Sequence, residues 1–232
     1  MSQPAFVHLR LHSEFSIADG MVRIPDAVNA AHADGMPALA LTDLSNVFGL
    51  IKFYKTARGK GVKPVIGCDV FISNSADRDR PHRLLLLCQS REGYLLLCDL
   101  LSRAYLENQH RGRAELRREW FHEHGTAGLI ALSGAHIGDV GSALLSGNAQ
   151  QAKQYASEWA ALFSQRYYIE VQRTGHAEEE AYISAALGLA AQLALPVVAT
   201  HPVQFISNDD FKAHEARVCI AEGYVLNDKR RV

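Results

Sequence analysis

Three observations predict a single α/β domain of barrel type. Seven short apolar runs alternate with longer amphipathic stretches along all 232 residues. No linker rich in Gly, Ser or Pro interrupts them. Most of the runs are continuously apolar rather than strictly alternating, as strands covered on both faces are. A doubly wound open sheet is the alternative topology.

The strands are expected at 6–11, 38–42, 65–72, 83–88, 129–132, 167–172 and 196–200. The first helix, 25–33, opens on Pro25 and stops near Gly35, a start and stop that suit a helix. The second, 46–58, places Val47, Leu50, Ile51 and Tyr54 on one face. Longer helices are expected at 92–108, 149–163 and 178–193, with apolar residues spaced three and four apart, and a last one at 209–222. The polar, turn-rich run 73–81 reads as a mobile loop, and the charged run 109–118 as a solvated face. An aromatic and basic stretch, 105–120, is a candidate interface. The chain stops on Asn227-Asp228-Lys229-Arg230-Arg231-Val232 directly after Tyr224-Val225-Leu226, which suggests a piece of a longer protein.

Composition narrows the function. Lys and Arg number 24 against 25 Asp and Glu, a net charge of −1, so the chain lacks the surplus of cations that a protein gripping DNA over its whole surface needs. No apolar run approaches the ~20 residues that span a bilayer. Met1-Ser2-Gln3-Pro4-Ala5 carries no secretory signal, so the expectation is a soluble cytoplasmic protein without membrane attachment. Cys68, Cys88, Cys98 and Cys219 form no CxxC pair and read as reduced, buried thiols.

Histidine is abundant, with eleven in the chain. In parallel α/β folds the functional groups gather at the C-terminal ends of strands. Here those ends carry His12 and Glu14, Asp43, Asp69, Glu170 and His201, with His82 at the start of the fourth run. A ring of imidazoles and carboxylates is what a hydrolytic metal centre requires, since it supplies N and O ligands and leaves a position for water. Each residue has a plainer alternative. Asp43 can cap a turn, His8 can be a hydrogen-bonded core residue, and Glu170 can pair with Arg10 or Arg173. No GxxxxGK[ST] or GxSxG motif occurs, and the Gly134–Gly141 stretch departs from GxGxxG spacing.

The opening Phe6-Val7-His8-Leu9-Arg10-Leu11-His12-Ser13-Glu14-Phe15-Ser16-Ile17-Ala18-Asp19-Gly20 resembles the polymerase and histidinol phosphatase (PHP) domain family. More narrowly it resembles the version at the N-terminus of bacterial DNA polymerase III alpha subunits. The likeness continues through Gly35–Asp43, Lys52–Lys55, Gly61–Gly67, Leu129–Gly134 and Leu195–Thr200. It implies a distorted seven-stranded β/α barrel of TIM-like type over residues 1–232.

The resemblance also sets out the ligand positions. His12, Asp19, Asp69 and His82 match remnants of the family's metal site, whereas Arg10, Leu44, Ala135, Pro202 and Gln204 stand where metal-binding members carry ligands. A permanent guanidinium at Arg10 offers no lone pair and repels a divalent ion, and Leu and Pro cannot ligate through their side chains. No metal centre or catalytic residue is therefore expected, beyond one weakly held divalent ion at most. Arg10 is expected to neutralise Asp19 or Asp69. The resemblance implies a degenerate domain that supports the rest of the alpha chain and docks the proofreading exonuclease (epsilon) subunit. Polymerase activity, its Mg ions and the DNA contacts would belong to the longer parent. The alternative is an active metal-dependent phosphoesterase or 3′–5′ exonuclease.

Overall fold

The computed structural model describes residues 6–175, 177–226 and 228. Met1–Ala5, His176 and the residues of the terminal run other than Asp228 lie outside the described residues. The architecture is mixed α/β, with eight strands and eight α-helices among the described residues. Two compact units divide the chain: Met1–Ile66 with Pro202–Val232, and Gly67–His201.

In the first unit, β1 (Ala38–Leu41) pairs in parallel with Lys63–Ile66, the opening residues of β2 (Lys63–Ile72). The expected first strand, 6–11, is an extended segment rather than a regular strand. Ala40 N donates to His8 O at 2.9 Å and Thr42 N to Leu11 O at 3.0 Å, while His12 N donates to Val203 O at 2.9 Å on the other side. Its register with Val203 lasts for a single bridge at Leu11, too short a ladder for a strand. α1 (Ile24–Ala33) starts with proline in its first turn and buries Ile24, Ala27, Val28 and Ala31, the i, i+3, i+4, i+7 stripe of an amphipathic helix. α2 (Leu50–Gly59) turns a different face inward from the one expected. Phe53 and Ala57 are buried, and Ile51 and Tyr54 are exposed. Leu11, Val22, Leu39, Leu41 and Val62 complete this core, and α8 (Phe211–Glu222) follows the Pro202 segment.

In the second unit the strand order is β4-β5-β2-β3-β6-β7-β8. β3 (His82–Cys88) runs antiparallel to both β2 and β6 (Leu129–Leu132), while β6, β7 (Tyr167–Val171) and β8 (Val197–Ala199) are mutually parallel. The sheet is thus mixed rather than all parallel. The 73–81 connection carries no crossover helix, and so short a link returns the chain antiparallel. β4 (Gln109–His110) and β5 (Arg113–Leu116) form a hairpin within the run expected to be a solvated face. Arg111 and Gly112 both have positive φ, 50° and 79°, the signature of a two-residue type I′ turn.

α3 (Arg91–Glu107) buries Leu97, Leu100, Leu101 and Ala104. α4 (Arg118–His124), α5 (Asp139–Leu145), α6 (Ala149–Leu162) and α7 (Glu179–Leu193) complete the unit. Phe121, Trp159 and Phe163 form an aromatic cluster with ring centroids 5.5–6.0 Å apart. Trp120, part of the candidate interface, is buried beneath Arg103, whose guanidinium lies 4.4 Å from the ring. Among the described residues no helix is long and apolar enough to cross a membrane.

Candidate functional site

The first unit holds Arg10, His12, Asp19 and Gln204 of the expected positions. Arg10 and His12 are two residues apart on the extended segment, so they share one side of it, and both are buried. Beyond them Ser13 caps a short turn, Glu14–Ser16, by accepting from Phe15 N at 3.2 Å. The backbone then folds back through Ile17 at φ 58°, a left-handed conformation that β-branched residues rarely adopt. That reversal brings Asp19 to His12, with Oδ2 3.0 Å from Nδ1. Glycine is required at the next position, because a Cβ on Gly20 would lie 2.5 Å from the His12 carbonyl oxygen.

The other oxygen of Asp19 accepts from Gln204 Nε2 at 2.6 Å. Gln204 is carried there by the backbone pairing of Met21 N with Gln204 O at 2.9 Å. Asp43 does the work of a local tie. It accepts from Ser13 N at 2.6 Å and from Ser16 Oγ at 2.7 Å, and Leu44 N donates to Ser16 Oγ at 3.0 Å. Burial pushes the Asp43 carboxyl above its ordinary value, opposed by these serine hydrogen bonds.

The second unit holds Asp69 and His82, and the pleat separates them. Register pairs Asp69 with Leu85, Phe71 with Arg83 and Ile72 with His82. Residues directly opposite one another project from the same face, and neighbours along a strand from opposite faces. Arg83 therefore shares the face of Asp69, and His82 points the other way. Arg83 grips the fully buried carboxylate with Nε 3.2 Å from Oδ1 and Nη2 2.6 Å from Oδ2. Its guanidinium also lies 4.9 Å from the Phe71 ring.

His82 lines a cavity of about 450 Å³ with His136, Asp139, Ser142 and Tyr155. Burial pushes its pKa below the ordinary value, with Asp139 working against that shift. Asp139 is itself engaged by Arg118, by Trp159 Nε1 at 2.8 Å and by Val140 N at 2.7 Å. Ala135, at a position where the resemblance sets a ligand in metal-binding members, is fully buried with φ 52°. It follows Gly134, whose N donates to Glu170 Oε2 at 3.1 Å and whose Cβ, if present, would meet Arg83 O at 2.2 Å. Glu170 also accepts from Gln172 Nε2 at 3.1 Å, while Arg173 instead grips Glu180 at 2.7 Å. His201 is exposed and Pro202 half-buried.

Within their units, then, His12, Asp19 and Gln204 come together, and Asp69 meets Arg83 rather than His82. Among the described residues no three His, Cys, Asp or Glu side chains gather to hold one metal ion. Sequence reasoning missed Arg83, whose only signal was its place beside His82. Without the strand register nothing says which of the two faces Asp69.

Residues 8–174 match the family described as PHP domain, and the chain belongs to that family. It is 50% identical over 233 residues to the DNA polymerase III subunit alpha of Neisseria meningitidis serogroup A, a match covering all of this chain and 20% of that protein. The same subunit of Pseudomonas aeruginosa is 46% identical over 227 residues, 98% of this chain and 19% of that protein. That of Escherichia coli is 42% identical over 231 residues, 100% of this chain and 20% of that protein. The matched part of these relatives is their N-terminal region. The chain thus spans about a fifth of the length of the curated relatives it matches. Among solved structures, an amidohydrolase from Chromobacterium violaceum aligns with TM-score 0.56 and 16% identity over 92% of this chain and 97% of that one. A metal-dependent phosphoesterase from Bifidobacterium adolescentis aligns with TM-score 0.52 and 11% identity over 93% and 97%. These two likenesses concern the fold.

Proposed function

We propose that the chain is the PHP domain of a bacterial replicative DNA polymerase alpha subunit, with its phosphoesterase site dismantled. On this reading it works as a scaffold for the longer polymerase chain in the cytoplasm and as the dock for the proofreading exonuclease subunit. The observation that carries the reading is 42–50% identity to DNA polymerase III alpha subunits over the whole chain. Polymerase activity, its Mg ions and most DNA contact belong to the remainder of that longer protein.

A divalent ion does not fit the residues present. It needs converging lone pairs, and a guanidinium supplies none. Asp69 is bonded to Arg83 through both oxygens, and the two oxygens of Asp19 meet His12 and Gln204. In the first unit Arg10 is a buried cation and Leu44 and Pro202 bring no side-chain donor, and in the second Ala135 brings none.

Co-purification of the 232-residue chain with the exonuclease subunit tests the docking role. A stable complex is expected, and two proteins that elute separately at micromolar concentration would end that part of the reading. Elemental analysis of protein prepared without chelator tests the rest. Two or three transition-metal ions per chain would instead favour an active phosphoesterase, the reading that the fold shared with a metal-dependent phosphoesterase suggests.

A further inference from the structure

We infer that the outward face of α2, with Phe48 before it and Lys60 and Lys63 after it, is a contact surface for single-stranded nucleic acid. This goes beyond the scaffold reading, which leaves most DNA contact to the remainder of the longer protein, and it depends on neither docking nor the fate of the metal site. The first observation is a charge imbalance. Residues 44–68 contain Lys52, Lys55, Arg58, Lys60 and Lys63 and no acid, so all 25 Asp and Glu lie outside them. A chain of net charge −1 concentrates five of its 24 Lys and Arg in that one stretch. All five are exposed. Lys52 meets Glu14 at 3.0 Å, while Lys55, Arg58, Lys60 and Lys63 meet no carboxylate among the described residues.

The second observation is the set of apolar side chains beside these cations. α2 buries Phe53 and Ala57, so steps of about 100° per residue put Lys55 at the centre of the outward face, with Ile51 and Arg58 on one side and Lys52 on the other. Ile51 is 62% exposed, and Tyr54, at the edge of that face, 46%. The Arg58 guanidinium lies 5.9 Å from the Tyr54 ring. Phe48 is 71% exposed although its backbone is held firmly. Phe48 N donates to Asn46 Oδ1 at 3.1 Å, and the amide of the buried Asn46 donates to Phe15 O and Leu44 O, both at 3.0 Å. Exposed rings beside cations without acids suit a strand whose phosphates meet the cations and whose unpaired bases stack on the rings. A duplex keeps its base faces stacked inside. An acidic protein segment fits the composition less well, because lysine is depleted at protein interfaces and four of the five cations are lysine.

The test titrates the full 232-residue chain against a fluorescein-labelled oligothymidine strand and follows its anisotropy. Binding is expected with Kd of about 1–100 µM near physiological salt, weakening with salt at a log–log slope of about −3 for the four cations that meet no carboxylate. Lys55→Gln/Arg58→Gln should roughly halve that slope, with Lys60→Gln/Lys63→Gln as its equivalent. Phe48→Ala/Tyr54→Ala should weaken binding about fivefold or more and leave the slope unchanged. Arg80→Gln, at an exposed cation of the other unit, should change neither. Every variant replaces an exposed side chain, and far-ultraviolet circular dichroism checks that each is folded. The inference is overturned if the unmodified chain leaves the anisotropy unchanged at about 50 mM salt, or if either the charge or the ring variants bind as it does. It is equally overturned if a duplex binds more tightly than the single strand. An oligoglutamate of equal charge that displaces the strand as readily as unlabelled oligothymidine would also overturn it, since that result marks a surface for acidic protein segments.

Discussion

Asp19 shows how a single side chain joins two parts of the first unit. Its carboxylate joins the extended opening segment, through His12, to the returning chain, through Gln204. Gln204→Leu keeps the bulk and removes the donor to a largely shielded charge. It should cost about 1–3 kcal/mol of unfolding free energy in urea titrations, the usual range for a lost bond to a charged group. Gly20→Ala should cost about as much by another route, since its Cβ would sit 2.5 Å from the His12 carbonyl and the turn that presents Asp19 must shift. At this scale the sequence reveals which positions changed but not what the replacements do. Gln204 reads only as a missing ligand, and Arg83 is not singled out, because both roles depend on register and on chain reversals that no local pattern encodes.

Elements are more legible, for a physical reason. Runs such as Leu84-Leu85-Leu86-Leu87 are buried on both faces and announce strands within a residue or two of their observed ends. Failures occur where polar residues do structural work. The β4–β5 hairpin looks like solvated charge, yet Glu115 within it is fully buried, 3.2 Å from Arg78 Nη2 and 3.0 Å from Ser73 Oγ. These bonds tie the 73–81 connection to the hairpin, so a segment that reads as mobile is anchored at its start and middle. Glu115→Leu should release it. With Arg78 39% exposed and able to regain water, the expected loss is about 2 kcal/mol, accompanied by faster tryptic cleavage at Arg78 and Arg80. On α2 two apolar stripes compete, and only packing shows that Phe53 and Ala57 win over Ile51 and Tyr54.

For the molecule as a whole, pH is the most direct probe of its buried charge. Burial lowers the pKa of His82 in one unit and of His214 in the other. The unfolded chain then takes up these protons first, so their contribution is complete above the ordinary value near 6.5 and is lost as pH falls through it. Asp43 has the opposite sign, because its raised pKa favours the folded state below 3.8 and that contribution is lost as pH rises through the folded value. The melting temperature is therefore expected to fall between pH 7 and pH 5, and His82→Gln should flatten that decline. An unchanged slope in the variant would show that His82 takes up its proton equally in both states.

The Arg83–Asp69 pair also bears on which substitutions the fold can absorb. Changing either residue alone breaks a buried ion pair, at a cost of about 3–5 kcal/mol against the roughly 5–15 kcal/mol by which domains are usually stable. A double replacement by apolar residues of similar volume is therefore expected to be tolerated better than either single one.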